Sequence, residues 1–295
     1  MTVDPTYALE LILNGLMLGL LYALIAVGLA LIFGVLQVVN FAHGELMMLG
    51  SFTMSLVLPF FGLSYWPSLA VAVIITAVFG AAFYEFLLSR VGQGEFERSI
   101  LITLGLSMVL LYGAQYIFTA TPRMVDTSWG FDGIEIGAIR MTWTRIVAAG
   151  VALAAFAGLY SLLRWTQIGR AMRAVAQNRD AALMVGLKPR TVSRNAVTLA
   201  AALCGLAGGA LAPIQLVQPG MGQPIIFKAF ALVIIGGLGN IPGAIVTSLT
   251  LGMLESWIGG FYDIVWQEGS VFVIMIVVII LRPEGLFHRG GIRVG

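Results

Sequence analysis

RWTQIGRAMRAVAQNRDAALMVGLKPRTVSR, residues Arg164–Arg194, interrupts two long apolar runs and carries seven of the sixteen Lys and Arg residues of the chain against one acid, Asp180. Short loops rich in Lys and Arg stay on the cytoplasmic side of a membrane, so this segment orients everything around it. Orientation is the first question because of what flanks the segment. The 295 residues are 59% hydrophobic and 10% charged, against roughly 25% charged in soluble domains. Charge-free runs cover Leu11–Gly44, Leu46–Tyr84, Ser99–Pro122, Ile146–Leu163, Asn195–Phe227 and Ala229–Leu254. A spanning helix needs about 20 apolar residues, so several of these hold two passes or a broken helix. The chain therefore reads as an all-α, polytopic integral membrane protein, a single transmembrane domain over 1–295 with its cytoplasmic loop at 164–194.

Working outward from that loop gives a topology. Ile146–Leu163 enters from outside, which leaves Thr119–Trp143 external, with Asp126, Asp132 and Glu135 balancing Arg123 and Arg140. Ile100–Phe118 rises from an internal turn at Arg90–Arg98, the Pro59–Pro67 turn is external, and so is the N-terminus. Arg282, Arg289 and Arg293 mark an internal C-terminus, so twelve of the sixteen basic residues lie in the cytoplasm. Parity then constrains the region between. Helices near 196–216 and 264–281 supply two crossings, so Ile225–Trp257 must cross twice or re-enter, for eight or nine helices in all. Its middle, IIGGLGNIPG at Ile234–Gly243, holds Gly236, Gly237, Gly239 and Asn240, the composition of a helix break. Non-helical backbone at membrane depth survives only where protein or a water-filled cavity satisfies it.

NFAHGE, Asn40–Glu45, is a second interruption of this kind in the first half. Two such breaks in opposite halves point to a transport pathway, with Asn40, His43, Gly44, Glu45, Gly236, Gly237, Gly239 and Asn240 as its candidate residues. Each also fits a plain turn between packed helices, and Asn40 fits a helix cap. Glu45 fits a cation or proton site inside the membrane. The simpler placement is at a helix N-terminus near the cytoplasmic interface, where the dipole favours a carboxylate. Gly15/Gly19 and Gly205/Gly209 have the spacing for close helix contact within the chain.

Other classes lack their residues. MTVDPTYALE has no basic n-region, so the first apolar run reads as a retained helix. One cysteine, Cys204, and two histidines, His43 and His288, leave no intrachain disulfide and no metal cluster. The two lysines, Lys188 and Lys228, follow Leu and Phe, so no phosphate loop exists and any ATP must bind another subunit. No span carries a catalytic constellation, and nothing points to nucleic acid.

Within the basic loop the pattern is more specific than its charge. Asp180 is placed to cap a short helix, AALMV, that stops at Gly186 with Pro189 beyond. Ahead of it, Gly169–Asn178 puts Met172, Val175 and Ala176 on one helical face and Arg170, Arg173 and Gln177 elsewhere. A knob of Leu183 and Met184 suits a groove on a soluble partner. A surface helix lying on anionic membrane lipid fits these residues equally.

Three segments together resemble the permease subunit of branched-chain amino-acid ABC transporters, the family that includes the high-affinity leucine, isoleucine and valine importer. They are NGLMLGLLYALIAVGLALIFGVLQVVNFAHGELMMLGSF (Asn14–Phe52), TQIGRAMRAVAQNRDAALMVGL (Thr166–Leu187) and IIGGLGNIPGAIVTSLTLGMLES (Ile234–Ser256). The resemblance covers nearly the whole chain, whose length suits the smaller permease. It implies a transport subunit of a bacterial-type inner membrane, with no catalytic residue or cofactor of its own. Two ABC ATPase subunits would bind the ATP, beside a second related permease and a periplasmic or extracellular substrate-binding protein. Asp180–Gly186 resembles the loop that contacts the ATPases, which implies coupling roles for Arg170, Arg173, Asn178, Asp180, Ala181, Leu183, Met184 and Gly186. A self-contained secondary transporter or channel for a small polar solute is the alternative. It would normally place charged residues in its spans, which here hold few beyond Glu45, Glu85 and Lys228.

Overall fold

The computed structural model describes residues 5–91, 95–130, 132–136 and 139–287. His288, Arg289 and Arg293 lie outside the described residues. With apolar surroundings, backbone groups must be satisfied within each segment, and the long apolar runs become helices. In chain order these are α1 (Pro5–Leu36), α2 (His43–Phe61), α3 (Tyr65–Phe86) and α4 (Phe96–Phe118). A small antiparallel hairpin follows, β1 (Gly133–Ile136) with β2 (Ile139–Thr142), pairing Gly133 with Thr142. Then come α5 (Trp143–Trp165), α6 (Gln167–Gln177), α7 (Arg179–Met184), α8 (Pro189–Leu211), α9 (Gly222–Gly236), α10 (Ile241–Phe261) and α11 (Ile264–Leu281). Among the described residues eight helices are long and apolar enough to span a membrane, and α9, with 15 residues, is a shorter apolar helix.

α1, α2 and α8 are mostly buried, whereas α4, α5 and α11 keep most of their apolar surface exposed, as helices against lipid do. Small residues let the inner helices touch backbone to backbone. A Cβ on Gly19 would lie 2.7 Å from the Ser248 carbonyl of α10, and one on Gly50 of α2 would lie 2.7 Å from Gly205 Cα of α8. Both close-contact pairs expected from spacing are used inside the chain: Gly15 and Gly19 face α10, and Gly205 and Gly209 face Thr76 and Leu69 of α3.

Ile225–Trp257, expected to cross twice or re-enter, lies within two helices, α9 and α10, joined at Gly237–Asn240. α8 begins at Pro189, earlier than the expected start near 196, because proline suits the first turn and the Lys188–Arg194 part of the basic segment continues straight into the apolar run. Arg90, Arg164, Lys188, Arg190 and Arg282 all sit where α3, α5, α8 and α11 end or begin on one side, the basic end. The hairpin lies at the opposite end. There the chain after α4 is tied to the chain after α8, Arg123 and Val217 exchanging backbone bonds of 2.8 Å in each direction.

Candidate functional site

The first break runs inward. α1 ends at Leu36, Gln37 adopts a φ of +57°, and the chain turns back through an irregular link and a turn at Phe41–Ala42 until α2 starts at His43. His43 Nε2 lies 3.0 Å from the Ile25 carbonyl and 3.1 Å from Cys204 Sγ. Ile25 precedes the end of α1 by 11 residues, about 16 Å at a rise near 1.5 Å per residue. α2 thus starts deep in the bundle. Asn40 accepts the Ala42 amide at 3.1 Å, shaping the turn just ahead of the helix and leaving Ala42 as its cap. Glu45 is in the first turn, as expected, but the interface placement does not hold: the side chain is 1% exposed, and its Oε1 accepts the Ser107 hydroxyl of α4 at 3.4 Å. Asn40 Nδ2, His43 Nδ1 and Glu45 Oε2 are all buried without a hydrogen-bond partner.

The start of α9 meets this break. A Cβ on Gly44 would collide with the Gly222 carbonyl, and one on Gly222 would lie 2.6 Å from the Gly44 carbonyl carbon. Two helix N-termini, each a positive dipole end, therefore abut inside the protein. Sequence reasoning missed Gly222, although Pro219, Gly220, Gly222 and Pro224 in VQPGMGQP carried the signal of a break.

The second break is closed. Gly237 and Gly239 take φ values of +95° and +78°, which glycine adopts without strain. Asn240 caps α10, accepting the Gly243 amide at 3.1 Å, and donates to the Phe287 carbonyl at 2.5 Å. Leu286 donates to the Ile235 carbonyl at 2.8 Å. Gly236 packs on Gly243 and Gly239 on Gly34, so the turn lies at the basic end. Among the described residues no hydrogen bond joins the two breaks, but Phe41 of the first and Ile234 and Leu238 of the second line one cavity.

The basic segment folds as α6 and α7. Thr166 caps α6 by accepting the Gly169 amide at 3.1 Å, and Asn178, not Asp180, caps α7 by accepting the Ala181 amide at 2.9 Å. Asn178 wins because it stands one residue ahead of the helix with an extended backbone, while Asp180 is already in the first turn. Met172, Val175 and Ala182 pack against Leu31, Val35, Val192 and Ala196, whereas Ala176 is exposed and outside that cluster. Arg173 donates to the Leu163 carbonyl, and Arg170 and Asp180 face outward. α7 ends before Gly186, at a φ of +83°. Leu183, Met184 and Val185 stand free at 54, 84 and 75% exposure.

Two further polar groups escaped the sequence reading. Lys228 Nζ of α9 pairs with Glu255 Oε1 of α10 at 2.6 Å, both side chains buried, with the Tyr22 hydroxyl of α1 3.4 Å from each. Lys228 stood out in an apolar run, but nothing in the sequence named its partner. On α4, Ser99, Thr103 and Ser107 are buried on one face, four residues apart. That spacing was legible as a helical stripe.

A bundle of apolar helices with interrupted members and one basic end has the build of a solute-conducting membrane subunit. The model of the family described as "Branched-chain amino acid transport system / permease component" matches residues 11–281, and the chain belongs to that family. It is 28% identical to the high-affinity branched-chain amino acid transport system permease protein LivH of Salmonella typhimurium, over 96% of each chain. It is 26% identical to BraD of Pseudomonas aeruginosa, a permease protein of the same description, over 95% of this chain and 96% of the relative. LivM of Escherichia coli, another permease of such a system, is 26% identical over 91% of this chain but 68% of its own. No solved structure matches. Among the described residues no group of His, Cys, Asp and Glu is placed to hold a metal.

Proposed function

We propose that this chain is the smaller permease subunit of an ATP-driven importer that moves branched-chain or related amino acids across the inner membrane. Its length supports the smaller role, since it covers 96% of LivH and 68% of LivM. The basic end is cytoplasmic, with the N-terminus outside, because the Lys and Arg excess of short loops stays inside. The chain acts as one transmembrane domain that binds no cofactor and performs no covalent chemistry. ATP is bound and hydrolysed by two partner ATPases, the second half of the membrane unit is a related permease, and a binding protein delivers solute to the hairpin end.

The observation that carries this reading is the apolar knob of α7. Three apolar side chains, Leu183 and Met184 at the end of a six-residue helix and Val185 just after it, project from the basic end. That helix is anchored to the bundle by Ala182 and, through α6, by Met172 and Val175. A knob held rigidly from behind transmits a push from a groove on a soluble partner into α1 and α8. Arg170, Arg173, Asn178, Asp180, Ala181 and Gly186 shape and flank it.

Affinity purification in mild detergent, followed by ATPase assay and mass spectrometry, tests the reading. The wild type brings down ATPase subunits and a second permease, and Leu183→Asp/Met184→Asp loses the ATPases while keeping the permease. A wild type that purifies alone and without ATPase activity in several detergents contradicts it and restores the self-contained carrier.

A further inference from the structure

Resting on the amino-acid permease reading, we infer that Glu45 and the start of α2 form a low-affinity internal site that takes the ammonium group of the passing amino acid. The hydroxyl stripe of α4 would lead from this site to the basic end. Four observations converge there. Glu45 is 1% exposed, and among the described residues it enters no ion pair; its Oε2 has no partner. A buried carboxylate is costly without a counter-charge, and a cationic group arriving beside it offsets that cost while losing its own hydration, which keeps the net affinity low.

Asn40 and His43 keep one unpartnered polar atom each, in side chains with no exposure, within five residues of Glu45. Of seven such atoms among the described residues, three fall within the six positions Asn40–Glu45, which makes this break the place with most hydrogen-bonding capacity left open. The abutting N-termini of α2 and α9 add positive dipole ends that favour a carboxylate. One spot thus offers a negative group for the ammonium of a zwitterion and helix ends for its carboxylate.

An apolar cavity of about 690 Å³ lies beside this break, between Val38–Phe41, α1, α4, α9 and α11, lined by Phe41, Phe96, Phe227, Phe230 and Phe272 among others, and offers the apolar part of a solute a place next to the site. Phe41 precedes Glu45 by four residues, and Phe227 and Phe230 follow Gly222 on α9. The route onward is polar on one side. From Glu45 toward the basic end α4 presents Ser107, Thr103 and Ser99, and Thr103 also donates to the Val39 carbonyl at 3.3 Å. Hydroxyls spaced by a helical turn bind a charged group weakly and repeatedly, which suits passage better than retention.

The test is leucine uptake by the complete complex in proteoliposomes, with ATP hydrolysis measured in parallel. Glu45→Gln lowers initial uptake at least tenfold while hydrolysis stimulated by the loaded binding protein stays within twofold. Glu45→Asp recovers a substantial part of the uptake. Ser107→Ala leaves the carboxylate in place and lowers uptake about threefold at unchanged hydrolysis, so it decides the matter if Glu45→Gln does not assemble. Wild-type uptake in these variants, or uptake and hydrolysis falling in parallel, overturns the site and leaves the importer standing. A wild-type complex that hydrolyses ATP but carries no leucine overturns the substrate class and the site with it.

Discussion

The two helix breaks are built from similar residues and differ in what they leave open. At Gly237–Asn240 the asparagine caps α10 and ties down the Phe287 carbonyl, the backbone bends at two glycines, and no side-chain polar atom of the turn is left buried and unpaired. At Asn40–Glu45 three buried side chains each hold a polar atom without a partner. Folding selects for satisfied polar groups, so the first arrangement explains itself as a joint and the second does not. A break that stability alone would not leave half-satisfied is where a second requirement acts, and in a permease that requirement is passage.

The sharpest way to break this comparison contrasts an interior carboxylate that has a counter-charge with one that has none. Lys228→Met strands Glu255 and should cost about 3 kcal/mol, read as a fall in thermal stability in detergent. Lys228→Met/Glu255→Met should regain most of it. Glu45→Gln, by contrast, should leave stability unchanged or slightly raised. A loss as large as that of Lys228→Met would make Glu45 a structural residue.

Next comes packing. Gly44→Ala drives a methyl into the Gly222 carbonyl, where backbone must move, and should cost about 2 kcal/mol. Gly34→Ala meets Gly239 at an ordinary 3.5 Å and should remain within about 0.5 kcal/mol of wild type. Equal effects would mean that the α2–α9 contact is no tighter than the joint at the basic end.

The smallest effects separate the two asparagines. Asn240→Ala removes a cap and the tether to Phe287 and should cost about 1 kcal/mol. Asn40→Ala loses one turn bond but also removes an unpartnered donor, so its stability should change less, while leucine uptake by the complex falls. If Asn40→Ala proves the more destabilising of the two, with uptake per folded complex unchanged, the first break is a joint like the second.

Much of this was legible before any coordinates. The apolar runs gave the helices because hydrocarbon admits no other open segment. The charge of Arg164–Arg194 set the candidate docking end, and the glycines of Ile234–Gly243 marked the break between α9 and α10. Depth was not legible. Glu45 reads the same at an interface or in a core, and only the contact of His43 with Ile25 places it inside. Partners were not legible either: Lys228 and Glu255, or Gly44 and Gly222, meet through packing between distant segments, which local pattern does not encode. Asn178 was missed as a cap because Asp180, two residues on, is an equally good capping type and the helix start is set by one residue.

The most direct test of the central claim is uptake of labelled leucine into proteoliposomes holding this chain alone, compared with the chain plus the second permease, the ATPases and the binding protein. The account predicts no uptake by the chain alone under any ion gradient, and ATP-dependent accumulation once the partners are present. Gradient-driven accumulation by the chain alone would contradict it.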